Sequence, residues 1–254
     1  MNLRCIYLGS DFTFPKEFWT TFCYNTRFIT HWMSRNVRKL KISTDGTFKQ
    51  LSVLISRDED HSKQDIMEDF YTTIQWTDAD VEKYLAMKDE KERIQLYLSI
   101  LRDGLSRISI VKEIPIDRLF ALIDTFEQNG CKHEWQFKSM YLKDWGVRLK
   151  FTCHFTTYDF QLRLTLFNKQ KKVIVSKSVF RIYPDENWYW KDLRKVVVEG
   201  DKLYINDSLN EHFLMFDLNK LQQGIIEETL LNENKKQFLY EANVEKYKRI
   251  QWLL

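Results

Sequence analysis

The stretch "DFQLRLTLFNKQKKVIVSKSVFRIYP", from Asp159 to Pro184, decides the fold prediction for the second half of the chain. Apolar and polar residues alternate from Phe160 to Leu166, and a less regular run extends from Lys172 to Ile182. Strict alternation is typical of an antiparallel sheet with one buried face and one face in water. The basic residues of this ribbon therefore indicate the wet side of a sheet, where lysines also protect an edge strand from aggregation.

The same alternation continues on both sides of this stretch. It covers Trp135 to Tyr141 and Val147 to Phe155, and two further apolar runs extend from Val196 to Val198 and from Leu203 to Ile205. Gly200-Asp201 lies between the last two runs and predicts a hairpin turn. The segment from Asn232 to Tyr247 predicts a closing helix, so this half of the chain reads as an antiparallel meander followed by a helix.

The first third of the sequence predicts strands. Apolar residues from Val37 to Ile42 and from Phe48 to Ile55 flank Thr44-Asp45-Gly46-Thr47. An Asp-Gly pair between two apolar runs favours a β-hairpin. The segment from Phe18 to Trp32 is dense in aromatic residues and has no decisive period.

The middle third predicts helices. Thr77 to Asp80 has the Thr-x-x-acid pattern of a helix start, and apolar residues from Ile94 to Ile108 recur at helical spacing. Pro115 suits the first position of another helix, which Asn129-Gly130 ends.

These patterns together predict the α+β class: an N-terminal β-rich region, central helices, and a C-terminal antiparallel β-meander with a closing helix. We expect an N-terminal α+β region over residues 1–112 and a helix-plus-sheet region over residues 113–254, or one continuous domain. A chain of 254 residues is long enough for either arrangement.

Composition limits the classes of function. The formal net charge is only +3, which argues against a dedicated nucleic-acid-binding protein. No apolar run approaches the roughly 18 residues of a membrane span, and the N-terminus lacks the pattern of a secretory signal. The four cysteines show no Cys-x-x-Cys spacing. We therefore expect a cytoplasmic protein with reduced thiols that does not enter a membrane.

Motifs for phosphate binding and nucleophilic catalysis are absent from the sequence. The seven glycines are dispersed, whereas a dinucleotide loop or a P-loop needs several glycines within a few residues. The Gly-x-Ser-x-Gly pattern of a nucleophile elbow is also missing. We expect no cofactor.

Two Cys/His pairs have residue types that zinc prefers, but their predicted register separates them. If the strands that hold them pair, Cys153 lies opposite Trp135 and His133 lies opposite Phe155. His154 then points to the other face of the sheet, so the groups cannot converge on one ion. We expect a packed core here and no metal site.

A weak signal for hydrolytic chemistry lies at Pro184-Asp185-Glu186. A metal-dependent nuclease core also needs a later Glu-x-Lys on the adjoining strand, but the sequence has Glu199-Gly200-Asp201-Lys202 on a predicted turn. An enzyme that assembles Asp185, Glu186 and a histidine from distant positions remains an alternative. The leading expectation is that the chain is not an enzyme.

Charge and aromatic residues indicate a protein-binding surface instead. The segment "RDEDHSKQDIMEDF" is acidic, and Asn187 is followed by three consecutive large aromatic residues. Aromatic side chains dominate the energetics of interfaces, and segregated charge favours association with an oppositely charged partner. The candidate binding residues are Asp58, Glu59, Asp60, Asp65, Glu68, Asp69, Trp188, Tyr189 and Trp190.

The sequence therefore predicts a non-catalytic cytoplasmic protein that binds another protein, which could be a toxin or another enzyme. Its most specific form is an inhibitor or immunity-type protein that masks a toxic enzyme, and a homodimer is also compatible. The remaining alternative is weak nucleic-acid binding through the basic segments Arg35–Lys49 and Arg163–Lys177.

Overall fold

The computed structural model describes residues 1–65, 67–185, 189, 191, 193–232 and 241. The chain divides into two compact units, Met1–Lys132 and His133–Leu254. The boundary between the units lies after the helix at Ile116–Gln128, whereas the boundary that we predicted lies before this helix. That the two regions fold separately remains a prediction. The predicted α+β class is confirmed, with sheets towards both ends of the chain and helices in between.

The first unit is a mostly parallel sheet with helices. Its elements are β1 (Cys5–Ser10), α1 (Lys16–Leu40), β2 (Gln50–Ser56), β3 (Ser62–Gln64), β4 (Asp69–Gln75), α2 (Asp78–Ala86), α3 (Glu90–Val111) and α4 (Ile116–Gln128). The strand order is β1-β2-β4-β3, in which β2 is parallel to both β1 and β4 while β3 is antiparallel to β4. Parallel neighbours need a long crossover connection, and α1 supplies it between β1 and β2.

The hairpin predicted around Asp45-Gly46 is wrong. Val37 and Leu40 belong to α1, and β2 pairs in parallel with strands on both sides. One buried face of α1 carries apolar side chains at helical spacing: Phe18, Phe22, Ile29, Met33 and Val37. The apolar run that we assigned to a strand is thus the last part of a helical stripe. The Asp45 loop is instead held by Lys112 after α3, whose Nζ donates to Asp45 Oδ2 at 2.7 Å.

Hydroxyl groups on α1 cover the outer edge of β1. Thr30 Oγ1 accepts from the Leu8 N–H at 3.1 Å, and Ser34 Oγ accepts from the Ile6 N–H at 3.2 Å. Thr26 Oγ1 donates to the Leu8 carbonyl at 2.9 Å. These bonds satisfy backbone groups that a further strand would otherwise pair, so β1 is not an open edge.

The helix start predicted at Thr77 and the helix stop predicted at Asn129-Gly130 are confirmed, whereas Pro115 is the N-cap of α4, one residue before its first helical position. At the start of α2, the Thr77 hydroxyl accepts from the Asp80 N–H and the Asp80 carboxylate accepts from the Thr77 N–H, forming a capping box. After α4, Gly130 has a φ of 67°, and the next N–H donates to the Phe126 carbonyl at 2.9 Å. Glycine tolerates this left-handed conformation, which is why the helix ends there.

The second unit contains two antiparallel sheets. Its elements are β5 (His133–Leu142), β6 (Val147–Phe155), β7 (Phe160–Phe167), β8 (Val173–Ile182), β9 (Lys195–Glu199), β10 (Lys202–Asn206), β11 (His212–Asp217), α5 (Leu218–Gln222) and β12 (Glu228–Leu230). The sheet orders are β5-β6-β7-β8 and β12-β11-β10-β9. Aromatic rings join the two sheets: the centroids of Phe151 and Phe216 are 5.8 Å apart, and those of Phe180 and Phe213 are 5.2 Å apart.

The alternation predicted for this half is confirmed, and so is the turn at Gly200-Asp201 between β9 and β10. The irregular pattern of β8 has a structural cause. Leu162 pairs with Phe180 but Arg163 pairs with Ser178, so Val179 is an extra residue in the strand. This bulge places two consecutive apolar side chains in the core. The predicted closing helix falls almost entirely outside the described residues.

Candidate protein-binding surface

The structure separates the six predicted acidic residues into two groups. Asp58, Glu59 and Asp60 follow the carboxyl end of β2, whereas Asp65, Glu68 and Asp69 lie at the amino end of β4. Strand β4 is seven residues long and spans about 20 Å at roughly 3.3 Å per residue. The acidic segment that looks continuous in the sequence is therefore not one surface patch.

The group at the amino end of β4 is engaged in the local structure. Asp65 Oδ1 accepts from the backbone N–H groups of Met67 and Asp69, and Glu68 pairs with Lys49 at 2.5 Å. Glu68 itself has a φ of 60°, in the left-handed region. These carboxylates shape the turn between β3 and β4, so they are poor candidates for a partner-binding surface.

Asp69 is the most unusual carboxylate of this group. Its Oδ2 accepts from Ser52 Oγ at 2.7 Å and from Gln50 Nε2 at 3.0 Å, while its buried Oδ1 has no hydrogen-bond partner. Burial raises the pKa of this carboxyl above its usual value, and the neighbouring charge of Asp65 adds to the effect. The ionised form is thus disfavoured in the folded chain.

We expect the Asp69→Asn variant to be more stable than the wild type at neutral pH, by about 1 kcal/mol, because it buries an amide instead of a charge. A protein that contains a carboxyl group whose pKa is raised by folding becomes less stable as the pH rises from the usual pKa of that group through the raised pKa. The stability advantage of the variant over the wild type should therefore shrink as the pH falls from the raised pKa towards the usual pKa of the carboxyl group. Urea unfolding at a series of pH values measures this difference, and equal stability at neutral pH would contradict it.

The group at the carboxyl end of β2 is more exposed. Asp58 and Glu59 are exposed and form no ion pair with any residue that the structure describes. Asp60 differs, since its carboxylate accepts hydrogen bonds from Arg107 and from the Gln75 N–H. Burial opposes ionisation of Asp60, but these bonds outweigh it and lower the pKa of the carboxyl. Two carboxylates, those of Asp58 and Glu59, thus remain available to a partner.

A loop that the sequence analysis missed lies beside these two carboxylates. It follows β1 and carries Phe12, whose side chain is 81% exposed and meets Trp19 edge to face with ring centroids 5.1 Å apart. Loops at the carboxyl ends of parallel strands commonly bind ligands. That rule could have identified Phe12 only if the parallel pairing of β1 and β2 had been recognised.

Hydrogen bonds fix the loop that presents Phe12. Asp11 Oδ1 accepts from the backbone N–H of Thr13 at 3.0 Å and from its hydroxyl group. The Thr13 hydroxyl oxygen in turn accepts from the Arg57 N–H at 2.8 Å, and it lies 3.4 Å from Ser56 Oγ. The loops after β1 and β2 are therefore joined, which places Phe12 close to Asp58 and Glu59.

We call Asp11, Phe12, Asp58 and Glu59 the carboxyl-edge surface. The basic side chain that precedes Asp58 in the sequence, Arg57, lies over the ring of Phe14 at 5.5 Å and pairs with Asp78 at 2.6 Å. Its charge is thus matched within the unit, and the surface keeps an acidic character around an exposed aromatic ring.

The predicted aromatic site at residues 188–190 is placed only in part. Trp188 and Trp190 lie outside the described residues. Tyr189 is 4% exposed, and its ring stacks on Phe160 with centroids 3.5 Å apart and an interplanar angle of 8°. The Tyr189 ring belongs to the core of the second unit rather than to its surface.

The structure describes only part of the alternative catalytic hypothesis. Asp185 is buried, and Glu186 lies outside the described residues. The predicted register of the Cys/His pairs is confirmed, with His133 opposite Phe155 and Cys153 opposite Trp135. Across the part of the chain that the structure describes, no group of three or more His, Cys, Asp or Glu side chains could hold a metal ion.

No disulfide joins the four cysteines, all of which lie in the described ranges. None of the described helices combines the length and apolar composition needed to cross a membrane. Comparison of the chain with protein-family models, with curated protein sequences and with solved structures gives no significant match.

Proposed function

We propose that the chain acts by binding another protein through the carboxyl-edge surface, without catalysis. The observation that carries this proposal is the 81% exposure of Phe12 on a loop that hydrogen bonds hold in place. A large aromatic ring exposed in this way has no role in the core of its own unit. Buried against a partner, such a ring contributes strongly to affinity.

Preorganisation of the loop favours binding over a purely structural role. Ordering side chains and loops on association costs free energy, and a loop that is already fixed avoids part of that cost. The Asp11–Thr13 and Thr13–Arg57 bonds fix the backbone on both sides of Phe12. The aromatic anchor is thus presented in one conformation.

The charge beside Phe12 indicates a basic partner. Asp58 and Glu59 form no ion pair among the described residues, so they can pair with cations of another protein. Complementary charge speeds encounter and excludes partners of the wrong sign. An acidic surface of this kind suits the basic cleft of an enzyme that processes nucleic acid.

The more specific form of the proposal is a cytoplasmic inhibitor or immunity-type protein that masks a toxic enzyme. Support for it comes from the acidic carboxyl-edge surface and from the lack of local catalytic motifs in the sequence. A partner with nuclease activity that is inhibited on binding would establish this form.

Affinity capture from the host with surface variants tests the proposal. The test variant carries Phe12→Ala, Asp58→Ala and Glu59→Ala, and the matched control carries Ile110→Ala, Glu82→Ala and Glu92→Ala. Ile110 is 85% exposed in the same unit, so both variants remove one exposed apolar side chain and two carboxylates. Mass spectrometry and light scattering would identify and size each complex.

We expect the wild type and the control to retain one stoichiometric protein partner and the test variant to lose it. Capture of the same partner by all three proteins would reject the carboxyl-edge surface. A lone monomer or a homodimer from the wild type would reject the proposed function itself.

A further inference from the structure

The outer face of the sheet β5-β6-β7-β8 carries positive charge at one end. In β6 and β7 the residues that alternate with the buried apolar side chains lie on this face, and none of them is an aspartate or a glutamate. Three of them are cationic: Arg148, Lys150 and Arg163. Lys150 is opposite Thr165 and Arg163 is opposite Thr152, so the three cations follow one another across two adjacent strands at intervals of roughly 7 Å.

Two hairpin turns at this end of the sheet add further cations. The turn between β5 and β6 lies beside the turn between β7 and β8, since a Cβ at Gly146 would be 3.8 Å from Lys169 Cε. Residues 141–150 and 163–172, which make up this end of the sheet and its two turns, contain seven basic residues and one acidic residue, Asp144. The low net charge of the whole chain hides this concentration.

The cations at this end have no counter-ion among the described residues. No described carboxylate pairs with the three cations of β6 and β7 or with the lysines of the β7–β8 turn. At the opposite end of the same face, Glu134 Oε1 lies 3.1 Å from His154 Nδ1, and the Asp159 carboxylate pairs with Arg181. Positive charge without a partner is thus confined to the end that holds the two turns.

Most other basic side chains of the second unit are paired. Lys177, Lys202 and Lys220 each lie within 2.8 Å of a carboxylate oxygen. Away from the end of the sheet described above, the following described side chains lack an ion pair with a described carboxylate: Lys138, Arg194 and Lys195. The seven cations at this end are therefore a concentration and not a sample of an evenly basic surface.

An aromatic side chain lies among these cations, although the sequence pattern hides it. Trp135 and Tyr141 would share a face in a regular strand, but β5 has an extra residue at Phe137. Trp135 is opposite Cys153 of the buried face, whereas Tyr141 is opposite Arg148 of the outer face. Tyr141 is 45% exposed, and the Arg148 guanidinium lies 5.6 Å from the centroid of its ring.

A second aromatic residue continues this row on β7. Arg148 is opposite Tyr141 in the β5–β6 ladder and opposite Phe167 in the β6–β7 ladder, so an aromatic residue flanks it on each side. Proteins that bind single strands combine aromatic rings, on which bases stack, with cations that lie along the backbone. This end of the sheet has both.

Protection of a sheet edge does not explain this arrangement. Lysines blunt edge strands against aggregation, but β6 and β7 are the two central strands of their sheet. On a face that only meets water, opposite charges on neighbouring strands stabilise the pairing and like charges weaken it. Arg148, Lys150 and Arg163 lie close together without a carboxylate, which favours an anionic ligand.

We infer that this basic sheet end binds single-stranded nucleic acid through the following residues: Tyr141, Arg148, Lys150, Arg163, Phe167 and Lys169. The guanidinium groups of the two arginines match phosphate oxygens in a bidentate manner. The rings favour unpaired bases, because a duplex keeps the faces of its bases stacked on one another. The carboxyl-edge surface belongs to the first unit, so this inference does not depend on the proposed function.

Fluorescence anisotropy with a labelled single-stranded RNA of about 20 nucleotides tests the basic sheet end. The charge variant carries Arg148→Gln and Lys150→Gln. Its control carries Arg194→Gln and Lys195→Gln, which remove the same two charges from exposed positions at the start of β9, an edge strand of the other sheet. The stacking variant carries Tyr141→Ala, and its control, Tyr141→Phe, keeps the ring. Circular dichroism checks that each variant is folded.

We expect the wild type to bind RNA in a salt-dependent manner. The charge variant should lose about 1.4 from the slope of log K against log salt, at about 0.7 per phosphate contact, and bind roughly 25-fold more weakly at 0.1 M salt. Tyr141→Ala should weaken binding about tenfold and leave the slope unchanged, because stacking releases no counter-ions. Both controls should bind as the wild type does. So should the Phe12→Ala, Asp58→Ala, Glu59→Ala variant, which separates this result from the proposed function.

Several results would overturn the inference. No binding of RNA at low salt would do so, as would equal weakening by the charge variant and its control. Equal affinities of Tyr141→Ala and Tyr141→Phe would reject the stacking platform, and tighter binding of an RNA duplex of the same sequence would reject the single strand as the ligand. Displacement of RNA by poly-L-glutamate at equal charge would assign the surface to an acidic protein. Preference for vesicles that contain phosphatidylserine would assign it to a membrane.

Discussion

Phe160→Ala is expected to destabilise the second unit by about 3–5 kcal/mol, the usual cost of removing a buried phenyl ring. Phe160 is fully buried, and its ring stacks on Tyr189 at 3.5 Å. Its centroid also lies 6.0 Å from that of Trp135 and 6.2 Å from that of Phe155. Alanine would leave a cavity among rigid rings that cannot collapse easily. Urea unfolding followed by circular dichroism measures the loss.

Two variants make this prediction specific. Phe160→Leu fills part of the cavity and should cost clearly less than alanine. Phe167→Ala removes the same ring from the other end of β7, at a position that is only half-buried, and should cost about 1 kcal/mol or less. Equal losses for Phe160→Ala and Phe167→Ala would contradict the assignment of Phe160 to the centre of the core.

Gly104→Ala is expected to destabilise the first unit by about 2 kcal/mol, although the same change in an ordinary helix interior stabilises by about 1 kcal/mol. Gly104 lies within α3 and is covered by Val53 of β2. A Cβ at this position would lie 2.3 Å from Val53 Cγ1, 2.4 Å from Cγ2 and 2.9 Å from Cβ. No rotation of the valine relieves all three contacts.

Thermal unfolding of a double-mutant cycle tests the cause of this effect. Val53→Ala alone should destabilise by creating a cavity, and Gly104→Ala should then cost clearly less than in the wild type, because only the 2.9 Å contact with the Cβ of residue 53 remains. If Gly104→Ala is stabilising in the wild type, helix α3 does not approach β2 as closely as the structure indicates.

The second unit was predictable because its signal is local. In β6 and β7 every second residue is apolar, and each of those residues is buried. The pairing of Cys153 with Trp135 follows from the same parity and is confirmed. The bulge in β8 was not predictable, because an extra residue reverses the pattern without any signal in composition.

The first unit was harder because its decisive features are non-local. Parallel pairing of β1 with β2 leaves no turn signal, since 39 residues separate Ser10 from Gln50 and most of them form α1. The aromatic residues of α1 obscured its helical period, because large rings also favour strands. Misassignment of Val37 and Leu40 then made Asp45-Gly46 resemble a hairpin turn.

The same misassignment limited the prediction of the binding surface. Asp58 and Glu59 were identified from charge alone, but the short strand β3 carries Asp65, Glu68 and Asp69 to the other end of β4. Phe12 could not be recognised from its neighbours in sequence. Its importance depends on a loop that only the parallel sheet brings beside Asp58.

The most direct test of the central claim places a photo-crosslinking amino acid at position 12 and irradiates the protein in its own host. The matched control carries the same amino acid at Ile110, which is 85% exposed in the same unit against 81% for Phe12. We predict a crosslink from position 12 to a single basic protein and no such product from position 110. No crosslink from position 12, or the same products from both positions, would contradict the claim that the carboxyl-edge surface binds a protein partner.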